Sequence, residues 1–142
     1  MTPPHPTSEE ISSKGPIKVL VAEDTRDAQI LIKMFLKKTP FELDFADNGK
    51  LAVQAFKKKD YHLVLMDVTM PIMDGITAIQ EIRKWESEEN KSARPIIALT
   101  ARSMPDEIQT LIEKGFTAYF AKPYEKSRLL DVILEFALPY EK

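Results

Sequence analysis

The stretch HLVLMDVTMPIMDG, residues 62–75, joins a buried-looking strand to a carboxylate at its end. The run Leu63–Met66 is continuously apolar, which is typical of a strand covered on both faces in a parallel sheet. Asp67 follows at once, and Pro71 and Gly75 then turn the chain. Because burial does not require an acid there, the pattern indicates a rigid strand that presents a functional carboxylate at the edge of a sheet.

Short apolar runs alternate with helical patterns along the rest of the chain. Five such strand–helix units predict a parallel sheet with helices on both sides, which is a five-stranded doubly wound α/β domain. A TIM barrel is excluded, since that fold needs about 250 residues. The second strand ends in Asn48-Gly49, which is a typical turn signal. The predicted strands are IKVLVAED, FELDFADNG, YHLVLMDV, ARPIIALTA and TAYFAKP.

The composition narrows the class of protein. The chain has 142 residues, 44% hydrophobic and 30% charged, which is typical of one globular domain. A net charge of -2 without a concentrated basic region argues against nucleic acid as a partner. The absence of cysteine and the presence of only two histidines exclude disulfides and common zinc sites. Since no membrane-length apolar run or signal sequence is present, we expect a cytoplasmic protein.

The two ends of the chain differ in composition from the middle. Residues 1–16 contain four of the ten prolines together with several Ser, Thr and Glu residues, which predicts a disordered tail. We expect the globular domain over residues 17–138 and a short C-terminal tail over residues 139–142. Since no output domain follows and the chain starts with Met1, we expect a stand-alone domain that acts by binding partners.

Charged and hydroxyl side chains follow four of the predicted strands. In an open parallel sheet, binding sites lie outside the carboxyl ends of the strands. Three neighbouring carboxylates repel one another, and a hard divalent cation such as Mg²⁺ would neutralise them. With Mg²⁺ and one lysine the formal charge sums to zero, so such a site can accept a phosphoryl group on a carboxylate. We therefore expect one site built from Glu23, Asp24, Asp67, Thr100 and Lys122.

The motifs VLVAED, DNG, LVLMDVTMPIMDG, IIALTA and GFTAYFAKP occur in this order between Ile17 and Leu138. On these motifs the chain resembles the receiver domain of two-component response regulators. The resemblance implies a flavodoxin-like (βα)5 fold with strand order 2-1-3-4-5. It also implies a signalling phosphoprotein that takes a phosphoryl group from a partner's phosphohistidine and needs Mg²⁺ or Mn²⁺. Such a protein slowly hydrolyses its own acyl phosphate and is not an ordinary turnover enzyme.

The resemblance assigns chemical roles by position. Asp67 is the implied phosphoacceptor. Asp24 is implied to bind the metal directly and Glu23 mainly through water, while the backbone carbonyl of Thr69 completes the protein ligands. Many members of the family carry Asp at the position of Glu23, and the longer side chain is expected to shift the water. Lys122 is the implied cation for the phosphoryl oxygens, and the X–Pro bond that follows it is expected to be cis.

A second set of residues is implied to transmit the signal. Thr100 is the implied switch hydroxyl, and Tyr119 is the aromatic that moves inward after phosphorylation. The small Ala101 leaves access to the phosphoacceptor. Thr69 and Arg102 lie two residues beyond Asp67 and Thr100, respectively, and are expected to tune hydrolysis.

The implied partners are a histidine kinase, a histidine phosphotransfer protein, or both. A downstream protein is expected to bind the surface of the fourth helix, fifth strand and fifth helix. The alternatives are a phosphorelay intermediate and a receiver excised from a hybrid histidine kinase. A phosphatase of the haloacid dehalogenase type is disfavoured because Thr69 occupies the position of its general acid. An FMN-binding flavodoxin is disfavoured because AEDTRDAQ is acidic where a phosphate loop is needed.

Overall fold

The computed structural model describes residues 17–101 and 104–137, so both predicted tails, Leu138 and Arg102 lie outside the described residues. Strands and helices alternate through these residues, as the sequence predicts. The strands are β1 (Ile17–Ala22), β2 (Phe41–Ala46), β3 (Leu63–Asp67), β4 (Ile96–Thr100) and β5 (Ala118–Ala121). The helices are α1 (Arg26–Phe35), α2 (Gly49–Lys58), α3 (Gly75–Glu88), α4 (Pro105–Lys114) and α5 (Lys126–Ala137).

All five strands are parallel, and their order in the sheet is β2-β1-β3-β4-β5. This confirms the doubly wound fold and the strand order expected from the sequence. The order reverses between β1 and β3, because the chain places β2 on one side of β1 and β3 to β5 on the other. The crevice of a doubly wound sheet lies at this reversal, beyond the carboxyl ends of the strands.

Alternate residues of each strand enter two separate cores. Val64 and Met66 of β3 pack with α2, α3 and α4, whereas Leu63 and Leu65 pack with α1 and α5. Every residue of β3 and of β4 is buried as a result. The continuous apolar run before Asp67 therefore reflects a strand that is held from both sides.

One asparagine side chain and one aspartate side chain cap the N-terminal ends of α2 and α3, respectively. Asn48 Oδ1 accepts a hydrogen bond from the backbone N–H of Leu51 at 2.9 Å, and Asp74 Oδ1 accepts one from Thr77 at 2.8 Å. The Asn48-Gly49 pair thus begins a helix rather than forming a separate turn. Among the residues that the structure describes, no helix is both long and apolar enough to cross a bilayer.

The loop between β3 and α3 lies against the end of β3 because two glycines allow close approach. Gly75 N–H donates to the carbonyl of Val68, and Gly49 N–H donates to the carbonyl of Met73, both at 2.9 Å. A Cβ on Gly75 would overlap the carbonyl oxygen of Asp67 and lie 2.9 Å from the Cα of Val68. Glycine at position 75 therefore keeps the backbone of Asp67 in place.

We expect Gly75→Ala to lower the free energy of unfolding by about 2 kcal/mol, because the new methyl group meets backbone atoms that cannot rotate away. Urea denaturation followed by circular dichroism measures this change. Glu81→Ala on the exposed side of the same helix is the control, and its effect should stay within about 0.5 kcal/mol. Equal stability of Gly75→Ala and the parent protein would contradict the close approach.

Candidate functional site

Backbone hydrogen bonds extend the sheet past the strand ends and align the candidate residues. The N–H groups of Glu23, Val68 and Lys122 donate to carbonyls of the neighbouring strand at 2.9–3.1 Å. Glu23 is thereby fixed beside the end of β2, and Lys122 beside Thr100 at the end of β4. The side chains that follow β1, β3 and β5 consequently meet at one edge of the sheet.

A cleft of about 510 Å³ opens at this edge. Seven of the residues expected from the sequence line it, although their roles stay predictions: Glu23, Asp24, Asp67, Thr69, Thr100, Ala101 and Lys122. Thr25 and Val68 also contribute to the wall. Arg102 lies outside the described residues, and Tyr119 lies outside the cleft.

Asp67 is only 4% exposed, and both of its carboxylate oxygens accept hydrogen bonds. Lys122 Nζ lies 2.8 Å from Oδ2, and the backbone N–H of Thr69 donates to Oδ1 at 3.1 Å. A buried charge is tolerated when it is paired and hydrogen-bonded in this way. The carboxylate is therefore held in one orientation with a positive charge against one oxygen.

Glu23 is even more buried, at 1% exposure, and it also has partners on both oxygens. The N–H and hydroxyl of Thr25 donate to Oε1 at 3.3 and 3.2 Å, and the hydroxyl of Tyr124 donates to Oε2 at 3.1 Å. Lys122 Nζ lies 3.8 Å from Oε2. Burial raises the pKa of Glu23 above its usual value, and the neighbouring Asp67 raises it further.

The carboxylates of Glu23, Asp24 and Asp67 form a group that fits a hard cation. One oxygen from each lies within 4.8 Å of the others. Two oxygens that both bind Mg²⁺ at about 2.1 Å are at most about 4.2 Å apart, so a small closure or a bridging water suffices. All three donors are oxygens, which are the ligands that Mg²⁺ and Mn²⁺ prefer. Asp24 is exposed, so the group is open to solvent.

Thr100 and Tyr119 lie on neighbouring strands. Thr100 is aligned with Ala121, and Tyr119 is aligned with Ala98, so both side chains project from the same face of the sheet. Thr100 is buried at the cleft, whereas Tyr119 is 42% exposed and lies in a shallow pocket beside Arg128 of α5. The inward movement of Tyr119 stays a prediction.

Two residues of the site, Thr25 and Tyr124, are not among the candidates expected from the sequence. The ring of Tyr124 stacks on Phe120 with a centroid distance of 6.1 Å, and Lys122 Nζ lies 5.9 Å from its centroid. Burial and the charge of Glu23 raise the pKa of the Tyr124 hydroxyl, so it stays a proton donor. An aromatic two residues after Lys122 is visible in the sequence, but its partner 101 positions away is not.

A buried carboxylate, two further acids and a lysine at the carboxyl edge of a doubly wound sheet define a receiver-type site. The chain belongs to the response regulator receiver domain family, whose model matches residues 19–134. The resemblance inferred from the motifs is therefore confirmed. The chain is a receiver domain of two-component signal transduction.

Proteins and structures similar to this chain fall in the same class. The sensor protein GacS of Pseudomonas syringae pv. syringae is 38% identical over 125 residues, which cover 88% of this chain but 14% of GacS. The hybrid signal transduction histidine kinase I of Dictyostelium discoideum is 40% identical over 123 residues, covering 83% of this chain and 7% of the kinase. The chain thus spans a small part of these relatives.

Among solved structures, a chain from the co-crystal of the Saccharomyces cerevisiae phosphotransfer protein Ypd1 with the receiver domain of Ssk1 gives a TM-score of 0.85. It is 28% identical, with 89% of this chain and 92% of that chain covered. The receiver domain of the Pseudomonas aeruginosa PAO1 sensor histidine kinase PA1611 holds a magnesium ion in its active-site cleft. It gives a TM-score of 0.77 at 28% identity, covering 87% and 98% of the two chains.

We expect Glu23→Gln to raise the free energy of unfolding of the metal-free protein, on the order of 1 kcal/mol, because it removes one of two adjacent buried negative charges. The Gln amide has a similar shape: its oxygen can accept from Thr25, and its NH2 group can donate to the hydroxyl oxygen of Tyr124. Urea denaturation in the presence of a chelator measures the effect. Glu81→Gln, which removes an exposed charge from α3, is the control and should change little. A less stable Glu23→Gln variant would contradict the repulsion.

Proposed function

We propose that Asp67 accepts a phosphoryl group from a phosphohistidine of a partner protein, in a reaction that needs Mg²⁺ or Mn²⁺. One observation carries this proposal: Asp67 is buried at the end of β3 with Lys122 against one oxygen and acidic side chains within 4.8 Å. A carboxylate so placed is suited to be a nucleophile toward phosphorus. The co-crystal of Ypd1 with a receiver domain supports a phosphotransfer protein as the donor, and the kinase relatives support a histidine kinase.

The transfer exchanges one bond to phosphorus for another. A carboxylate oxygen of Asp67 supplies the electron pair of the new O–P bond, and the electron pair of the broken P–N bond stays with the departing imidazole of the partner. Phosphoryl transfer mainly requires positioning and stabilisation of charge. The hydrogen bonds from Thr69 and Lys122 hold the attacking carboxylate in position.

The charge of the cleft explains the proposed need for a cation. Glu23, Asp24 and Asp67 with Lys122 carry a formal charge of -2, and a phosphoryl group adds about -1.5 to -2. Bound Mg²⁺ supplies charge neutralisation at the phosphoryl oxygens. The three carboxylates would hold it, with the carbonyl of Thr69 as a further ligand. The magnesium ion in the PA1611 receiver domain supports this assignment.

The acyl phosphate is proposed to hydrolyse slowly, so the domain reports a signal for a limited time. The small Ala101 lines the cleft beside Thr100 and leaves space for the phosphoryl group. Thr69 and Arg102 are proposed to tune this lifetime. The domain would therefore be a self-catalysed phosphoacceptor that slowly removes its own phosphoryl group, rather than a classical turnover enzyme.

The proposed output is a population shift in the surface formed by α4, β5 and α5. Thr100 at the cleft would hydrogen-bond the phosphoryl group, and Tyr119 would move inward on the same face of the sheet. A downstream protein would then bind one state of this surface more tightly. Since relatives include sensor and hybrid histidine kinases, the domain is proposed to act in a cytoplasmic phosphorelay, with a position inside a longer kinase as the alternative.

We expect Asp67→Asn to abolish labelling by acetyl phosphate in Mg²⁺, because an amide is not a nucleophile toward phosphorus. Intact-protein mass spectrometry measures the added phosphoryl group. Asp60→Asn, which changes an exposed acid before β3, is the control and should label like the parent protein. A chelator should abolish labelling of both the parent protein and Asp60→Asn. Equal labelling with and without Asp67 would overturn the proposed function.

The switch is tested with fluorotyrosine, because the chain has only four tyrosines whose fluorine signals can be assigned. We expect beryllofluoride, which mimics a phosphoryl group, to shift the signal of Tyr119 in the parent protein. Thr100→Ala should bind beryllofluoride without that shift, since it lacks the hydroxyl. Thr100→Ser keeps the hydroxyl and should restore the shift. A Tyr119 signal that moves equally in Thr100→Ala would refute the coupling.

A further inference from the structure

Glu23 is fixed by donors that approach its two oxygens from different parts of the chain. Thr25, two residues away, donates to Oε1, and Tyr124, 101 residues away, donates to Oε2 at 3.1 Å. A carboxylate bound on both oxygens cannot rotate without breaking a hydrogen bond. The bond from Tyr124 therefore determines which lone pairs of Glu23 face the cleft.

Tyr124 is itself packed against the hydrophobic core. Its ring stacks on Phe120, which is 5% exposed and belongs to the core between the sheet and α1 and α5. The ammonium of Lys122 lies 5.9 Å from the ring centroid, within the range of a cation–π contact. The hydroxyl of Tyr124 is thus presented to Glu23 from a rigid part of the domain.

The reach of Glu23 makes this contact specific to a glutamate. An aspartate at position 23 is shorter by one C–C bond of about 1.5 Å, so its carboxylate would fall short of the Tyr124 hydroxyl. Glu23 and Tyr124 are thus matched in length. Loss of a residue that hydrogen-bonds and orients a metal ligand commonly lowers metal affinity by about 10- to 100-fold.

We infer that Tyr124 is a positioning residue that holds Glu23 for binding of the divalent cation. The inference rests on the proposed function, because it assumes that the three carboxylates bind Mg²⁺. It adds a residue from the loop between β5 and α5 to a candidate metal site whose three carboxylates follow β1 and β3. Tyr124 acts through Glu23 and touches neither the cation nor the phosphoryl group.

The test is a double-mutant cycle in which titration calorimetry measures the dissociation constant of Mg²⁺ for each variant, with no other ligand present. Tyr124→Phe removes only the hydroxyl and keeps the ring that stacks on Phe120. We expect it to weaken Mg²⁺ binding about 10-fold in the parent protein. In a Glu23→Asp background, which has no contact to lose, the same change should alter the dissociation constant less than about twofold.

Each result has a distinct meaning. If the parent protein binds no Mg²⁺, the proposed function and this inference both fail. If the parent binds Mg²⁺ and Tyr124→Phe binds it equally or more tightly, only this inference fails. An equal loss in both backgrounds also overturns it, because a general structural effect does not depend on residue 23. Thermal unfolding of each variant with a chelator checks that the fold is kept.

Discussion

The ion pair between Lys122 and Asp67, with 2.8 Å between nitrogen and oxygen, is the interaction on which the site depends. The parallel sheet places the ends of β1, β3 and β5 at one edge. It thereby brings the three carboxylates that follow β1 and end β3 close to Lys122, which follows β5. Asp67 is buried, and removing the partner of a buried charge is destabilising because the remaining charge is unpaired. The lysine therefore allows the carboxylate of Asp67 to be buried in the folded domain without a bound cation.

Packing holds the strand that carries Asp67 on both faces, whereas α4, which is part of the proposed output surface, is less tightly packed. β3 is buried throughout, and α3 buries five residues, whereas α4 buries only Leu111. Arg83 of α3 donates to the carbonyl of Gly115 at 3.0 Å, which anchors the C-terminal end of α4. The N-terminal end of α4 has no side-chain cap at Met104. A helix held at one end and thinly packed can respond to changes beside Thr100 while Asp67 stays in place.

Local patterns in the sequence determine how much of this domain can be predicted. The apolar run before Asp67 and the helix periodicities predict all ten elements, and the rule that sites follow parallel strands predicts the shared cleft. Asn48-Gly49 is misread as a turn, because capping depends on the helix that follows. The bond from Tyr124 to Glu23 joins residues 101 positions apart, so no local pattern indicates it. Ile72, at φ 69 and 80% exposed, is likewise set by loop geometry.

Lys122 also lies 3.8 Å from Glu23, so one ammonium serves two carboxylates at unequal distances. Phosphorylation of Asp67, as proposed, would replace its carboxylate with the uncharged carbonyl of an acyl phosphate and move the negative charge outward onto phosphoryl oxygens. The attraction that holds Lys122 at Asp67 would then act from a new position, while Glu23 stays bound to Thr25 and Tyr124. Glu23, held by Thr25 and Tyr124, would thus keep its position relative to Lys122 and the proposed cation while the charge on Asp67 changes.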